Sequence, residues 1–178
     1  IGCPAGIAPE LTAQILVDQD IAAAARIIVI GDRRVLARGA EVAGVKPDID
    51  IIGPDDAIPA GDTLVLVDLG HLDPAAIPVG ALSKPSGDFA MANFRKALEL
   101  CMAGVADAVT FSPFNKASMR LSHPSYEDEV VFMTEFLHFK GVASEFNILP
   151  GLWNARVTSH VPISGVAALI TRTNVLRG

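Results

Sequence analysis

The chain has 178 residues, 51% of them hydrophobic and only 6% aromatic, and its formal net charge is −6. A chain of this length can bury about 70% of the surface that it exposes when unfolded, which allows one sizeable core. The negative net charge argues against nucleic acid and anionic membranes as partners, because both require clustered Lys and Arg. The longest apolar runs are too short to cross a bilayer.

Apolar runs rich in β-branched residues alternate with helical patterns along the chain. The runs predict strands at residues 26–30, 49–52, 63–68, 107–110 and 155–158. The helical patterns predict helices at residues 10–17 and 33–42, from a cap at Ser86 to a stop at Gly104, and at residues 129–140. Such alternation is typical of βαβ units, so we expect an α/β fold with a parallel or mixed sheet flanked by helices.

The domain organisation and the cell compartment are indicated less directly. Residues 69–84 are rich in Pro, Gly and Ala without a period, which predicts a connector between a first lobe, residues 1–80, and a second lobe, residues 81–178. Cys3 and Cys101 are too few and too far apart for a disulfide framework, so a reducing, cytoplasmic location is expected. The first residue is Ile, and the sequence ends just after a helix start, so we expect part of a longer protein.

The most informative stretch is residues 2–10, which read G-C-P-A-G-I-A-P-E. Pro9 suits the first helical position and Glu10 suits the positive end of the helix dipole, so this turn can bring backbone N–H groups close to an anion. A tight strand-to-helix turn without a ligand is the alternative, and glycine spacing alone does not decide between them.

Two later segments support a resemblance to a known family. Residues 107–116 read D-A-V-T-F-S-P-F-N-K, and residues 156–162 read R-V-T-S-H-V-P. With the opening turn, they resemble the segments G-D-P-A-G-I-G-P-E, D-A-[IV]-V-T-A-P-[IL]-N-K and R-V-A-L-V-T-T-H-[LV]-P of the 4-hydroxythreonine-4-phosphate dehydrogenase family. The resemblance runs over essentially the whole chain. It implies a two-lobed fold like that of isocitrate and isopropylmalate dehydrogenases, with interleaved lobes, an active site in the cleft and further chain beyond Gly178.

His160 is the candidate metal ligand. It ends an apolar run, where ligands of open α/β sheets bind, although a structural histidine is the alternative on the residues alone. The resemblance implies that His160 is one of three His that hold a divalent metal (Zn, Mg, Mn or Co), the other two lying downstream. In such a reaction the metal polarises the hydroxyl and later holds the enolate as CO2 leaves, while NAD takes the hydride.

Asn115 and Lys116 are the candidate catalytic residues. Taken as an isolated pair, they are typical of a helix cap followed by a surface lysine. Within the matched segment they are expected to face the site, where Lys116 would neutralise a substrate carboxylate or phosphate, or assist proton transfer. The residues alone do not choose among these roles.

The sequence also departs from the family pattern. Cys3 replaces the Asp of the opening segment, and Ala8 replaces its second loop glycine. We expect Cys3 to behave as a small buried apolar side chain. In the family's G-H-T-E-F-L segment, Thr134 is kept, but the His is replaced by Met133 or Glu129, depending on the alignment.

The substituted segment bears on the substrate. The acidic residues 127–129 would repel a phosphate if they faced the pocket, or would be a favourable helix start if they faced solvent. His123 matches a family His near this segment, with a loop role that orients its neighbours as the alternative. Thr134, Glu129 and His123 are therefore the candidate substrate-binding residues.

The expected function is NAD-dependent, divalent-metal-dependent oxidation of a hydroxy acid, with decarboxylation, by a homodimer acting on a small molecule. The substrate resembles 4-hydroxythreonine 4-phosphate or is a carboxylated cis-dihydrodiol. The residues that bind NAD are expected downstream. The alternative is a catalytically silent α/β binding protein that retains the dehydrogenase fold.

Overall fold

The computed structural model describes residues 1–158 and 161–177. The chain forms two compact units, Ile1–Glu127 and Asp128–Gly178. In the described part of the chain, no helix has both the length and the apolar character needed to cross a membrane. The lobe boundary expected at residue 80 concerns the complete protein and stays a prediction.

The first unit contains five helices and three strands among the described residues. In chain order they are α1 (Ala8–Ile15), α2 (Gln19–Ala24), β1 (Ile28–Gly31), α3 (Arg33–Ala43), β2 (Asp50–Ile52), β3 (Val65–Asp68), α4 (Lys84–Met102) and α5 (Lys116–Ser122), with a 3₁₀ turn at Pro74–Ala76. The strands predicted at residues 26–30, 49–52 and 63–68 are confirmed as β1, β2 and β3, within two residues at each end.

The core of the first unit lies around a parallel sheet with the strand order β1–β3–β2. Central strand β3 is buried from Val65 to Val67. Val29 of β1 and Leu66 of β3 are register partners and therefore share one face, where α1 and α3 supply the apolar contacts. Helix α4 packs against β1. The prediction of an α/β fold with a parallel sheet flanked by helices is thus confirmed.

Helix α4 shows how well local signals place the ends of an element. Its N-cap is Ser83, whose hydroxyl accepts a hydrogen bond from the backbone N–H of Ser86, so the predicted cap at Ser86 lies three residues too late. The predicted stop is confirmed, because Gly104 has a φ of 70°, a left-handed conformation that glycine adopts without strain.

The strand predicted at residues 107–110 is wrong, since this segment has no regular secondary structure. The segment is bonded to the opening turn at its far end, where Cys3 N–H donates to the Pro113 carbonyl, but no strand among the described residues pairs with residues 107–110. A β-branched segment without a continuous partner has no ladder to join, so it remains irregular.

The second unit contains α6 (Glu129–Phe136), β4 (Phe146–Leu149), β5 (Leu152–Ala155), α7 (Ile163–Leu169) and α8 (Arg172–Arg177). Strands β4 and β5 form an antiparallel hairpin that turns at Gly151, whose φ is 78°. The strand predicted at residues 155–158 is therefore wrong in position and meets β5 only at Ala155. Helix α6 ends before the predicted residue 140, because His138 has a φ of 50°.

Candidate functional site

The structure brings the first two matched segments together. Gly2 N–H donates to the Ser112 hydroxyl over 2.9 Å, and Cys3 N–H donates to the Pro113 carbonyl over 2.9 Å. These contacts join residues that are 110 positions apart in sequence. The opening turn and the segment that leads to Asn115 are therefore adjacent, as a shared site requires.

Gly2 is needed for this close approach. A Cβ atom at this position would lie 2.2 Å from the Ser112 carbonyl oxygen and 2.5 Å from that of Pro113. Both obstacles are backbone atoms, which have no flexible end that could move aside. Any side chain at Gly2 would therefore push the opening turn away from the neighbouring segment.

Ser112 also connects this junction to the start of helix α1. Its hydroxyl lies 3.2 Å from the Thr12 hydroxyl, which in turn donates to the Ala8 carbonyl over 2.8 Å. Helix α1 begins at Ala8, with Pro9 in its first turn and without a side-chain cap. The predicted turn into a helix is thus placed correctly, with the helix starting one residue before Pro9, but residues 1–3 before the turn do not form a strand.

Asn115 is the N-cap of α5, and its side chain accepts a hydrogen bond from Ser118 N–H over 3.0 Å. Lys116 is the first residue of the helix and is exposed. Helix α5 is held against α4, because Ser83 N–H donates to the Ser118 hydroxyl, and a Cβ on Gly87 would lie 2.0 Å from the Ser118 carbonyl. The cap predicted for Asn115 is therefore confirmed, and the catalytic roles of Asn115 and Lys116 stay predictions.

His123 lies at the other end of α5. It follows the last helical residue, and its Nε2 atom lies 3.1 Å from the Ser125 hydroxyl. Asn115 and His123 flank the helix and are eight residues apart, which is about 12 Å along its axis. The structure does not gather these two residues into one cluster.

Glu129 and Thr134 belong to α6 in the second unit. Asp128 caps α6 by accepting a hydrogen bond from Val131 N–H over 2.8 Å, and Glu129 is the first helical residue. Met133 follows Glu129 by one helical turn, so both alignments place the lost histidine on the same face of α6. Thr134 donates to the Val131 carbonyl over 2.9 Å.

The candidate metal ligand His160 lies outside the described residues. Within residues 1–158 and 161–177, no group of three or more His, Cys, Asp or Glu side chains could hold a metal ion. The residues that the structure describes do not by themselves form the expected metal site.

Cys3 has the environment that the sequence predicts. It is buried in an apolar cluster of the first unit together with Ala5, Val35, Leu72, Ile77 and Phe89. A carboxylate here would lie among hydrocarbon side chains, so the Asp of the family's opening segment could not keep this packing unchanged.

Two residues at the carboxyl end of the sheet were not recognised from the sequence. The Asp32 side chain is fully buried after β1 and accepts hydrogen bonds from the Arg34 guanidinium and from Leu72 N–H. Burial raises the pKa of Asp32, but the hydrogen bonds from Arg34 and Leu72 outweigh burial and lower that pKa to about 2. An acid directly after a strand was the available sequence signal.

His71 is the second of these residues. It is an exposed residue of the connector, and its ring stacks on Phe89, with 4.7 Å between the ring centroids. Desolvation of the part of the ring that packs on its neighbours is the main reason that the pKa of His71 is lowered, and it outweighs the backbone hydrogen bond at Phe89, which acts in the opposite direction.

The first unit is thus a parallel α/β unit in which the opening glycine turn is bonded to the segment before the capped helix α5. Open α/β sheets bind ligands outside the carboxyl ends of their strands, and this end of the sheet is the candidate site. A sequence model of the family described as "Pyridoxal phosphate biosynthetic protein PdxA" matches residues 23–178. The chain belongs to this family.

Individual relatives agree with the family assignment. A Rhizobium meliloti (strain 1021) protein named "Putative 4-hydroxythreonine-4-phosphate dehydrogenase 2" is 51% identical over 99% of this chain and 51% of its own length. A Symbiobacterium thermophilum protein named "Putative D-threonate 4-phosphate dehydrogenase" is 31% identical over 99% of this chain and 52% of its own length. The chain therefore spans about half the length of the curated relatives that it matches.

A solved structure shows the same fold. The crystal structure of a 4-hydroxythreonine-4-phosphate dehydrogenase from Burkholderia phymatum superimposes with a TM-score of 0.84 and 27% identity. The match covers 99% of this chain and 53% of that chain.

Proposed function

We propose that the complete protein is an NAD-dependent, divalent-metal-dependent dehydrogenase that oxidises a hydroxy acid and decarboxylates the product. The relatives named as dehydrogenases of 4-hydroxythreonine 4-phosphate and D-threonate 4-phosphate support this proposal. The observation that carries it is the junction of the opening turn with residues 112–116, made by the bonds from Gly2 and Cys3.

The proposed chemistry assigns roles to the two residues that follow this junction, Asn115 and Lys116. Oxidation transfers a hydride from the carbinol carbon to the nicotinamide, and the hydroxyl proton passes to a base. Lys116 is exposed at the start of α5, where its ammonium can reach a substrate carboxylate or phosphate. Asn115 fixes that start through its cap to Ser118. The proposal includes a metal held by His160 with ligands downstream.

The proposal extends to the setting in which the protein works. A two-lobed architecture like that of isocitrate dehydrogenase, a homodimer, a small-molecule substrate and a cytoplasmic location all follow from the resemblance of the matched segments. Size-exclusion chromatography with light scattering on the complete protein tests the dimer, and a monomeric mass would reject it.

The substrate class depends on whether a phosphate is present. The names of the relatives favour a phosphorylated hydroxy acid. If Glu129 faces the substrate, its carboxylate repels a phosphate dianion and favours a carboxylated cis-dihydrodiol, which has no phosphate. If it faces solvent, it is a favourable helix start and does not discriminate between the two. The two substrate types are compared by measuring NADH formation by the complete protein with each of them, in the presence of Mg²⁺, Mn²⁺, Co²⁺ or Zn²⁺.

Substitution of Lys116 tests the proposed catalytic role. Lys116→Ala is expected to lower kcat/KM of the complete protein by about 100-fold or more if the ammonium assists proton transfer or binds the reacting acid. Lys46→Ala is the matched control, since Lys46 is an exposed lysine of the same unit on the loop after α3. Equal activities of the two variants would reject the role of Lys116. A protein that binds ligand but forms no NADH with any substrate or metal would be the silent binding protein instead.

The face of α6 gives a second test. Glu129→His and Met133→His each restore an imidazole to the same helix face at one of the two aligned positions. The variant at the site-facing position is expected to gain turnover of the phosphorylated substrate relative to the dihydrodiol. If neither variant changes the ratio, the substituted residue does not determine the substrate.

A further inference from the structure

Helix α3 lies close to the opening turn, residues 2–10. A Cβ atom on Gly39 would lie 2.5 Å from the Pro9 carbonyl oxygen, so the backbones of α3 and α1 are in direct contact. The residue before this glycine, Arg38, is half-buried, and its side chain extends to the turn. Arg38 is therefore placed to act on the turn, although the chemistry proposed above does not use it.

The Arg38 guanidinium connects the turn to the loop between β3 and α4, residues 69–83. It donates one hydrogen bond to the Pro4 carbonyl and another to the Pro74 carbonyl, the second over 3.0 Å. A guanidinium presents several donors in a rigid plane, so it can hold two carbonyls at once. Pro4 is fully buried, and a buried carbonyl that loses its donor is costly.

The same loop makes a second bond to the turn. Gly80 N–H donates to the Ala5 carbonyl over 2.7 Å, and apolar side chains of the loop pack beside Cys3. Two consecutive carbonyls of the turn, those of Pro4 and Ala5, are thus held by groups from α3 and from the loop.

These bonds fix the orientation of one peptide plane of the turn. Gly6 N–H donates to the Cys3 carbonyl over 3.3 Å, which closes a β-turn with Pro4 at its first central position. Ala5 does not have a positive φ, which excludes a type II turn. Since the Pro4 carbonyl points to Arg38, the N–H of the same trans peptide, that of Ala5, points away from it. Arg38 therefore sets the direction in which the turn presents this amide.

The turn is also bonded to the segment that carries the candidate catalytic residues. Cys3 N–H donates to the Pro113 carbonyl over 2.9 Å, and Asn115 and Lys116 follow at the start of α5. A displacement of the turn at Arg38 would thus reach the start of α5 through main-chain bonds.

We propose that Arg38 is a positioning residue of the candidate site. By holding the Pro4 and Pro74 carbonyls together, its guanidinium keeps the opening turn, and through it the segment that leads to Lys116, in the geometry that binds the hydroxy acid. The proposal rests on the proposed function, because it requires a hydroxy acid bound beside Lys116. A preorganised turn lowers the cost of ordering the site when the acid binds, so loss of Arg38 weakens that binding.

The experiment measures NADH formation by the complete protein with Arg38→Met, which removes the donors and keeps a long side chain. Arg26→Met is the matched control, since Arg26 also donates to two backbone carbonyls, those of Pro59 and Thr63, but it precedes β1 at the amino end of the sheet. For Arg38→Met, we expect KM for the hydroxy acid to rise by about tenfold and KM for NAD to change by less than about twofold. Arg26→Met is expected to leave both unchanged. Partial unfolding lowers the apparent kcat and leaves KM unchanged, so a merely structural role does not give this result.

Arg38→Lys is the second variant, and it decides the question if Arg38→Met does not fold. It keeps the charge, but its ammonium lacks the fork of donors that holds two carbonyls, so an intermediate rise in KM for the hydroxy acid is expected. The proposal is overturned if this KM is unchanged in the folded variants of Arg38, or if Arg26→Met raises it equally.

Hydrogen–deuterium exchange, followed by mass spectrometry, gives a readout that does not depend on activity. In the Arg38 variants, the peptides that contain the amides of Cys3 and Gly80 should exchange about tenfold faster, whereas the peptide that contains β3 should keep its rate. If the wild type forms no NADH with any hydroxy acid, the proposed function fails, and the exchange of these peptides then decides whether Arg38 orders the turn. Unchanged exchange at the turn would overturn the proposal whether or not the protein is active.

Discussion

The buried carboxylate of Asp32 gives the most specific prediction about the carboxyl end of the sheet. Asp32→Asn keeps the size of the side chain and removes its charge. The pKa of Asp32 falls from 3.8 to about 2, nearly two units, because the hydrogen bonds from Arg34 and from Leu72 N–H outweigh burial. At 1.36 kcal/mol per unit, the ionised form contributes about 2 kcal/mol to the free energy of unfolding at pH 7.

The pH dependence of this contribution has a fixed sign. A carboxyl group with a lowered pKa stabilises the fold above its unfolded-state pKa of 3.8, and this stabilisation is lost as the pH falls through about 2. The difference in unfolding free energy between the wild type and Asp32→Asn is therefore expected to be about 2 kcal/mol at pH 7 and to shrink below pH 4. Urea unfolding followed by far-UV circular dichroism at several pH values measures it.

Asp88→Asn is the matched control. Asp88 pairs with Lys84 one helical turn away on α4, and both side chains are about half exposed, so this ion pair is screened by solvent. The control is expected to change the unfolding free energy by less than about 0.5 kcal/mol. If Asp32→Asn is as mild as Asp88→Asn at pH 7, or if its effect does not depend on pH, then Asp32 is not an ionised, paired group and the reasoning fails.

Substitutions at Gly2, Asn115 and Cys3 are also tested by urea unfolding, the first two with a matched control. Gly2→Ala is expected to lower the unfolding free energy by about 2 kcal/mol, because the added Cβ would clash with backbone atoms. Gly6→Ala is the control; the nearest atom to its added Cβ lies 3.9 Å away, so the change should be less than about 0.5 kcal/mol. Equal effects of the two substitutions would contradict the close approach at Gly2. Asn115→Ala should lower the unfolding free energy by about 1 kcal/mol through loss of the helix cap, whereas Asn115→Ser, which keeps a capping oxygen, should lower it by much less. Cys3→Asp should lower the unfolding free energy by about 3 kcal/mol or more, because it buries a charge among apolar side chains. An unchanged unfolding free energy would show that the cluster accommodates a polar group.

The sequence was sufficient to predict the elements whose signals are local. Strands β1, β2 and β3 are short apolar runs bounded by Asp or Gly, and α3 and α4 carry helical periodicity between a cap and a left-handed glycine. In these elements, the local pattern and the tertiary packing favour the same structure.

The errors arise where a partner decides the structure. Residues 107–110 have the composition of a strand, but no strand among the described residues pairs with them. Hairpin β4–β5 was missed, although Pro150-Gly151 between apolar runs is a turn signal, because the strand was placed after the turn and not on both sides of it. A single sequence does not contain the identity of the pairing partner.

The candidate site shows the same division between local and long-range information. The cap of Asn115 on α5 is a local motif and could be predicted, whereas the bonds from Gly2 and Cys3 to Ser112 and Pro113 connect distant segments. Before the structure, only the resemblance placed these segments in one site. Asp32 was overlooked because Leu72, which lies 40 residues further along the chain, meets it only after β1 and β3 pair, although its other partner Arg34 is local.

The way in which this junction is built explains how the chain can depart from its family and keep the geometry of the site. The bond from Cys3 to Pro113 uses the backbone N–H of Cys3, and its side chain packs into the apolar cluster on another side. Replacing the family's Asp at this position therefore changes the side-chain chemistry of the turn without breaking its contact with residues 112–113. The departure at Glu129 or Met133 lies on one face of α6, in the other unit. The junction of the first two matched segments therefore depends on backbone atoms of the turn, which a change of side chain at residue 3 leaves in place.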